Sequence, residues 1–375
     1  MSASLSLRAV DKIYHPRGRS AVHAVRTLSM DVARGEIVAL LGSSGCGKTS
    51  TLRMVAGFED VSAGEISLAD RRIERLAPAA RNVAMAFEGY SLYPPLTVRE
   101  NIAFALKRGR LSASEVARRV QEVASLVEIE PILDRYPNSI SGGQQQRASL
   151  ARALVRDAAL YVLDEPMGQL EPQLRAVLRG RLKRLLKERA MTSIFVTHDQ
   201  TEANALADRI AVMEGGVLQQ FAPQHVLKER PANLYVATFI GEPPMNVFDA
   251  SVIREDGRTK FALDNGPSLR FSDNELGPEV RKAIGDRSKI VLGVRPHRVV
   301  LGNGSAETAR VVSNQWLGDQ SHVAMAVAGK LLVAVSHARV RAAIGDSVPY
   351  GVRAQDLHIF DPHTTVALAH GARAA

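Results

Sequence analysis

Over the first 235 residues, short apolar runs alternate with longer amphipathic stretches. EIVALLG (36–42), NVAMAF (82–87), ALYVLDEP (159–166), TSIFVTHD (192–199) and RIAVMEGG (209–216) are nearly continuous apolar runs ending in turn-forming residues. That pattern predicts strands buried on both faces. Between two of them, LRAVLRGRLKRLLKERA (174–190) places Leu174, Val177, Leu178, Leu182, Leu185 and Leu186 on one helical face. Strands alternating with helices predict an α/β fold with a mostly parallel sheet covered on both sides. The pattern changes near residue 240, at the Pro/Gly break GEPPMN (241–246). Beyond it, KIVLGVRP (289–296), SHVAMAVAG (321–329) and KLLVAVS (330–336) are short alternating runs, with turn signals every ten or so residues. That spacing predicts a small all-β barrel or sandwich. The expected division is 1–240 and 241–375, with the closing GARAA frayed.

Composition narrows the class. A chain of 375 residues suits two domains, and 46% hydrophobic with 23% charged residues excludes a disordered or collagen-like chain. No apolar run approaches the ~18 residues that cross a bilayer. The start, MSASLSLRAVDK, shows no basic region followed by an apolar core, so no signal peptide is expected. A single cysteine, Cys46, allows no internal disulfide and points to a reducing compartment. The net charge is +9, of which residues 1–240 carry +7, and this suits a polyanionic ligand.

The chemistry concentrates in EIVALLGSSGCGKTS (36–50), which contains Gly42-Ser43-Ser44-Gly45-Cys46-Gly47-Lys48-Thr49 and is followed by Ser50. A G-x-x-x-x-G-K-[ST] run after a strand and before a helix is a phosphate cradle. Its glycines let backbone N–H groups converge on a phosphate, and the helix points its positive end at the same place. Lys48 offers charge to the β- and γ-phosphates of ATP, and Thr49 a hydroxyl to Mg²⁺. Asp164 ends an apolar strand, where it can hold Mg²⁺, and Glu165 follows, placed to orient or deprotonate water. His198 leaves another strand at its C-terminal end, where α/β sheets bind ligands. The ten histidines show no zinc-ligand spacing.

SISGGQQQRASLARAL (139–154) resembles the signature motif of ATP-binding cassette (ABC) ATPases. The order Tyr14, phosphate loop, AFEGYSLYPPLTVRENIAF, signature, Asp164-Glu165, His198 is similar to that family's order across 1–235. The resemblance implies a P-loop ATPase domain with a helical subdomain, a Tyr14 that stacks on adenine, and His198 as the switch histidine. It also implies a head-to-tail dimer in which Ser141, Gly142, Gly143 and Gln144 of one subunit face ATP held by the other. FIGEPPMNVF, VLGVRPHRVVL, NQWLGDQSHVAMAV and LHIFDPHT resemble the C-terminal OB-like barrel of carbohydrate-class importer ATPases. That class implies two transmembrane permeases, met through the surface around Tyr90, Leu92, Tyr93 and Pro94, and a solute-binding protein outside the membrane. The chain itself would lie on the cytoplasmic face of the inner membrane.

Two positions depart from the family. Glu88 stands where the family has a metal-ligating Gln, and Glu171 where it has Asp. At 4 Å and an effective dielectric of 20, each unit charge on Glu88 is worth roughly 4 kcal/mol, attractive to Mg²⁺ and repulsive to phosphate. The departures favour a second, different ATPase subunit as the dimer partner over another copy. The alternative function is a soluble nucleic-acid-linked ATPase. Its repair branch needs a long coiled-coil insertion, and the stretch between Glu88 and the signature is too short for one. Its translation branch carries two cassettes. No nucleic acid is therefore expected, and the seven basic residues of 174–190 read as a solvated face.

Overall fold

The computed structural model describes residues 2–18, 20–87, 89, 91–107, 109, 111–255, 257–302 and 307–371. Glu88, Tyr90 and the tail residues Ala372–Ala375 lie outside the described residues. The chain divides into two compact units, Met1–Gln224 and His225–Ala375.

In the first unit, β1 (Leu5–Tyr14) and β2 (Val22–Val32) pair antiparallel, and with β4 (Ala63–Leu68) and β5 (Arg71–Arg72) form a four-stranded sheet. The central sheet runs in the order β10 (Val217–Ala222), β9 (Arg209–Glu214), β3 (Ile37–Gly42), β8 (Ser193–Val196), β7 (Leu160–Asp164), β6 (Val83–Ala86). All its neighbours are parallel except β9 and β10. Each apolar run read from the sequence is one of these strands, and β3, β7 and β8 are buried at every position.

Helix α1 (Lys48–Ala56) joins the two sheets. Its Leu52, Met54 and Val55 pack in one cluster with Leu7 and Val10 of β1, Val25 and Leu28 of β2, and Val162 and Ile194 of the central sheet. Each such fully buried side chain contributes about 1.5–3 kcal/mol. A second group of helices, α2 (Val98–Phe104), α3 (Ala113–Leu126) and α4 (Gly142–Leu154), pack on one another. Helices α2 and α4 both begin with reciprocal caps, Thr97 with Glu100 and Ser141 with Gln144.

Helix α5 (Pro172–Glu188) starts two residues before the sequence-predicted helix, with Pro at its first position, where the missing N–H costs nothing. Its buried stripe is narrower than expected: Leu178, Leu182 and Leu186 are buried, while Val177 is 47% exposed. One row at i, i+4, i+8 suffices because α5 packs edgewise on α3 and on α6 (Gln200–Leu206). Its basic residues are also less free than expected, for Arg181 pairs with Glu128 and Arg189 with Glu122.

The second unit begins earlier than the Pro/Gly break, with helices α7 (Gln224–Glu229) and α8 (Leu234–Phe239). Arg295 ties these helices to the strands that follow. Its buried guanidinium donates to the carbonyls of Lys228, Ala237 and Ile240, tying both helices to the end of strand Lys289–Val294. Burial pushes Arg295 down to about 10. The rest is two antiparallel sheets, of six and five strands, wrapped round one apolar core that includes Phe248, Phe261, Leu292, Val323 and Ile359.

Candidate functional site

Strand order assembles the site. β8 lies between β3 and β7, and Leu40, Val196 and Asp164 form one row across the three strands. The loop after β3, the histidine after β8 and the acidic end of β7 therefore leave the same edge of the sheet side by side. That edge is the C-terminal one, where open α/β sheets bind ligands.

Two glycines of the loop from Gly42 to Gly47 sit where a side chain would strike neighbouring backbone. A Cβ on Gly42 would sit 2.2 Å from the Met213 carbonyl oxygen. Gly47 has φ +99°, and a Cβ there would sit 2.3 Å from the Ala24 carbonyl oxygen. Gly47 also caps α1 without any side-chain bond, so the first-turn N–H groups keep their capacity for an anion. Lys48 Nζ lies over the loop, donating to the carbonyls of Gly42 at 2.9 Å and Ser43 at 2.8 Å, and 3.6 Å from Cys46 Sγ. Cys46 is buried and acts as filler. The Thr49 hydroxyl lies 3.4 Å from Asp164 Oδ1. Ser50 Oγ accepts from the Tyr14 hydroxyl at 3.1 Å.

Glu165 adopts φ +48°, a left-handed conformation that strains a non-glycine residue. Its N–H donates to the Val196 carbonyl at 3.1 Å, and its carbonyl accepts from Gln146 Nε2 at 2.7 Å. Held so, its carboxylate oxygens lie 2.8 Å and 3.0 Å from His198 Nδ1. A carboxylate only accepts, so Nδ1–H is the donor. The His198 side chain is 71% exposed and has room to leave this bond.

Ser141 and Gln144 stand at the start of α4 and bond each other: Gln144 N–H donates to Ser141 Oγ, and Ser141 N–H to Gln144 Oε1. The Ser141 O–H keeps its own hydrogen to donate. Among the described residues no hydrogen bond joins 141–144 to the loop 42–50.

Sequence reading passed over three side chains. Gln146 bridges α4 to the site, accepting from Gln169 N–H at 3.0 Å while donating to Glu165. Arg175 donates to the Leu170 carbonyl and pairs with Asp199, which caps α6. Glu202 lies beneath the His198 turn, taking the Thr197 hydroxyl at 2.7 Å, and its Oε1 is buried without a partner. Only the spacing Thr197–Asp199–Glu202, a cap signal, marked this turn in the sequence.

Burial raises Glu202 from 4.5 to about 7, with Asp199 and Glu165 adding to the rise and the Thr197 bond opposing it. The folded state thus prefers the protonated acid, while the unfolded chain ionises near 4.5. The contribution to stability is complete below that value and lost as pH rises through about 7. Glu202→Gln is therefore expected to raise the melting temperature by a few degrees at about pH 8 and by little at about pH 5. Thermal melts at both pH values check this; an equal shift at both would show that ionisation is not the cause.

Residues 25–168 match the family described as ABC transporter, and residues 292–360 the TOBE domain. The chain is 43% identical over 300 residues to the trehalose import ATP-binding protein SugC of Mycobacterium tuberculosis, covering 79% of this chain and 73% of that protein. It is 38% identical over 373 residues to the sn-glycerol-3-phosphate import ATP-binding protein UgpC of Chromobacterium violaceum, covering 99% and 97%. Against the xylose/arabinose import ATP-binding protein XacK of Haloferax volcanii it is 38% identical over 377 residues, covering 98% and 95%. Among solved structures, a dimeric post-hydrolysis state of the ATP-binding cassette MJ0796 bound to ADP and Pi superposes with a TM-score of 0.55 at 28% identity, over 58% of this chain and 98% of that one. The nucleic-acid alternative finds no support among these relatives. With a phosphate cradle, an acidic strand end and a signature turn in its first unit and a TOBE domain in its second, the chain belongs to the ABC transporter family, as the ATP-hydrolysing subunit of an importer.

Proposed function

We propose that this subunit binds Mg²⁺-ATP in the loop 42–50 and hydrolyses it in a site completed by the signature turn of a second ATPase subunit, as its own residues 141–144 complete the partner's site. Turnover would drive uptake of a sugar, polyol or glycerol-phosphate solute through two permeases, fed by a solute-binding protein outside the membrane. The observation that carries this reading is the Leu40–Val196–Asp164 row, which sets cradle, acidic pair and histidine around one strand end.

Lys48 would exchange its bonds to the Gly42 and Ser43 carbonyls for phosphate oxygens, and Tyr14 would carry the adenine. The hydroxyl and carboxylate oxygens of Thr49 and Asp164, 3.4 Å apart, suit a shared hard cation. When bound there, Mg²⁺ supplies charge neutralisation at the β- and γ-phosphates. The expected third ligand, Glu88, lies outside the described residues. Glu165 takes a proton from water as the water oxygen bonds to the γ-phosphorus, and the bridging oxygen departs with ADP. His198 keeps the Glu165 carboxylate aimed. The Ser141 O–H and the N–H groups of Gly142 and Gly143 would meet the γ-phosphate from across the dimer.

For docking, Tyr93 is 45% exposed and packs against exposed Phe104, ring centroids 4.8 Å apart at a tilt of 52°, supporting a permease contact around Leu92, Tyr93 and Pro94. Arg152 of the signature helix donates to the Ser91 carbonyl at 2.7 Å, linking that surface to α4. No helix among the described residues is long and apolar enough to cross a membrane. The permeases would therefore hold the subunit peripherally, on the cytoplasmic face of the inner membrane. The region from residue 241 would serve as a regulatory domain.

Glu171 is exposed at the start of α5 and makes no side-chain cap. Its longer carboxylate supports a paralogue as the second ATPase, because water positioning across an interface is sensitive to about 1 Å. The test is purification of the subunit from native membranes with every companion identified. Two permeases and a second ATPase species are expected. A complex holding one ATPase species with two active sites would refute the paralogue, and recovery with ribosomes or nucleic acid and no membrane protein would refute the importer assignment.

A further inference from the structure

The Tyr14 ring is held from more than one side. Lys12 and Tyr14 stand two residues apart on β1, where the strand's register is irregular, and their side chains meet. Lys12 is only 7% exposed. Its ammonium donates to the Asp60 carbonyl at 2.8 Å, pairs with the Glu59 carboxylate at 2.9 Å, and lies 4.7 Å from the centroid of the Tyr14 ring. The Tyr14 hydroxyl donates to Ser50 Oγ at 3.1 Å.

A lysine is almost never buried this far without partners that satisfy it. Here a carboxylate and a carbonyl satisfy two directions, and the π-face of Tyr14 lies along another. The ammonium lies over one face of the ring, and Tyr14 is only half-buried. Glu59 and Asp60 follow Gly57, the C-cap of α1, and Ser50 lies in the first turn of the same helix. The ring is thereby fixed to the helix that begins at the phosphate loop.

We propose that Lys12 is the positioning residue for the purine base. It presses on one face of Tyr14 so that the other is a platform set at a fixed distance from the cradle. This rests on the reading of Tyr14 as the base platform. A ring held before the ligand arrives loses no rotamer freedom on stacking, whereas an untethered ring does. The effect is specific to the base end of the nucleotide, since among the described residues the hydrogen bond, ion pair and ring contact of Lys12 go to Asp60, Glu59 and Tyr14 and not to the loop 42–49.

The test is calorimetric titration of the full chain with ATP and, separately, with inorganic tripolyphosphate, which has no base. Lys12→Met is expected to weaken ATP about fivefold, the size of one partly desolvated cation–π contact, and to leave tripolyphosphate unchanged. Lys12→Arg keeps the cation and restores ATP binding. In a Tyr14→Ala background, Lys12→Met has no further effect. Equal losses for ATP and tripolyphosphate, or an undiminished Lys12→Met effect without Tyr14, would show that Lys12 only supports the fold and overturn the proposal. Unchanged ATP binding by Tyr14→Ala alone would instead remove the platform reading on which it rests.

Discussion

Glu165→Gln lowers ATP turnover by about 10²- to 10⁴-fold, the range for loss of a positioned general base, and leaves ATP affinity nearly intact. The amide has the same shape but accepts no proton from water. Its backbone contacts are kept, because the Val196 and Gln146 bonds involve only the Glu165 main chain. The bond from His198 Nδ1–H to the side-chain oxygen also survives, since the amide still presents one acceptor. The variant should therefore hold ATP without hydrolysing it. Single-turnover assays with labelled ATP, run beside equilibrium binding, separate the two effects. A variant that turns over at the wild-type rate would assign the base to another group.

Gly47→Ala has the second large effect, on binding and not on chemistry. The new Cβ would lie 2.3 Å from the Ala24 carbonyl oxygen, at a φ of +99° that alanine rarely adopts. Strain of this kind costs on the order of 1–3 kcal/mol before the clash with rigid β2 backbone is added. The cradle cannot relax into the core, where Cys46 and Met213 already pack. ATP affinity should fall by more than about tenfold, since 1.4 kcal/mol is one decade. The melting temperature should fall with it. Nucleotide titration and a thermal melt of the same preparation check both, and Gly45→Ala, also left-handed at φ +76° but with no atom within 4 Å of its new Cβ, separates the strain from the clash.

Much of this site was readable from the sequence because its parts are local. The runs ending at Gly42, Asp164 and Val196 announce buried strands, and the chemistry follows each within a few residues. Their adjacency was not readable, since strand order is fixed by crossovers that no single segment encodes. The bond between Glu165 and His198 depends on that order, as does the bridge by Gln146 from α4. Gln146 was visible only as one of three consecutive glutamines, Gln144, Gln145 and Gln146, and their roles diverge with helical phase: one caps, one faces the Pro137 turn, one reaches the site. Val177 shows the opposite error. It satisfied the apolar period, yet α5 needed only one row of leucines against its neighbours. Arg295, over fifty residues later, claims carbonyls of α7 and α8, a link that no local pattern announces.

The central claim is that hydrolysis needs residues 141–144 acting on ATP held by another subunit. The measurement that tests it most directly uses Ser141→Arg. ATP binding is measured on the isolated full chain, and turnover on the complex recovered from native membranes. The account predicts near-normal ATP binding by the chain, whose own loop 42–50 is untouched, and hydrolysis at the site that Ser141 completes reduced by about 10²-fold or more, the cost of losing a donor to the transferring group, so that the complex keeps at most the turnover of its other site. Unchanged turnover by the complex, or loss of ATP binding by the isolated chain, would contradict it.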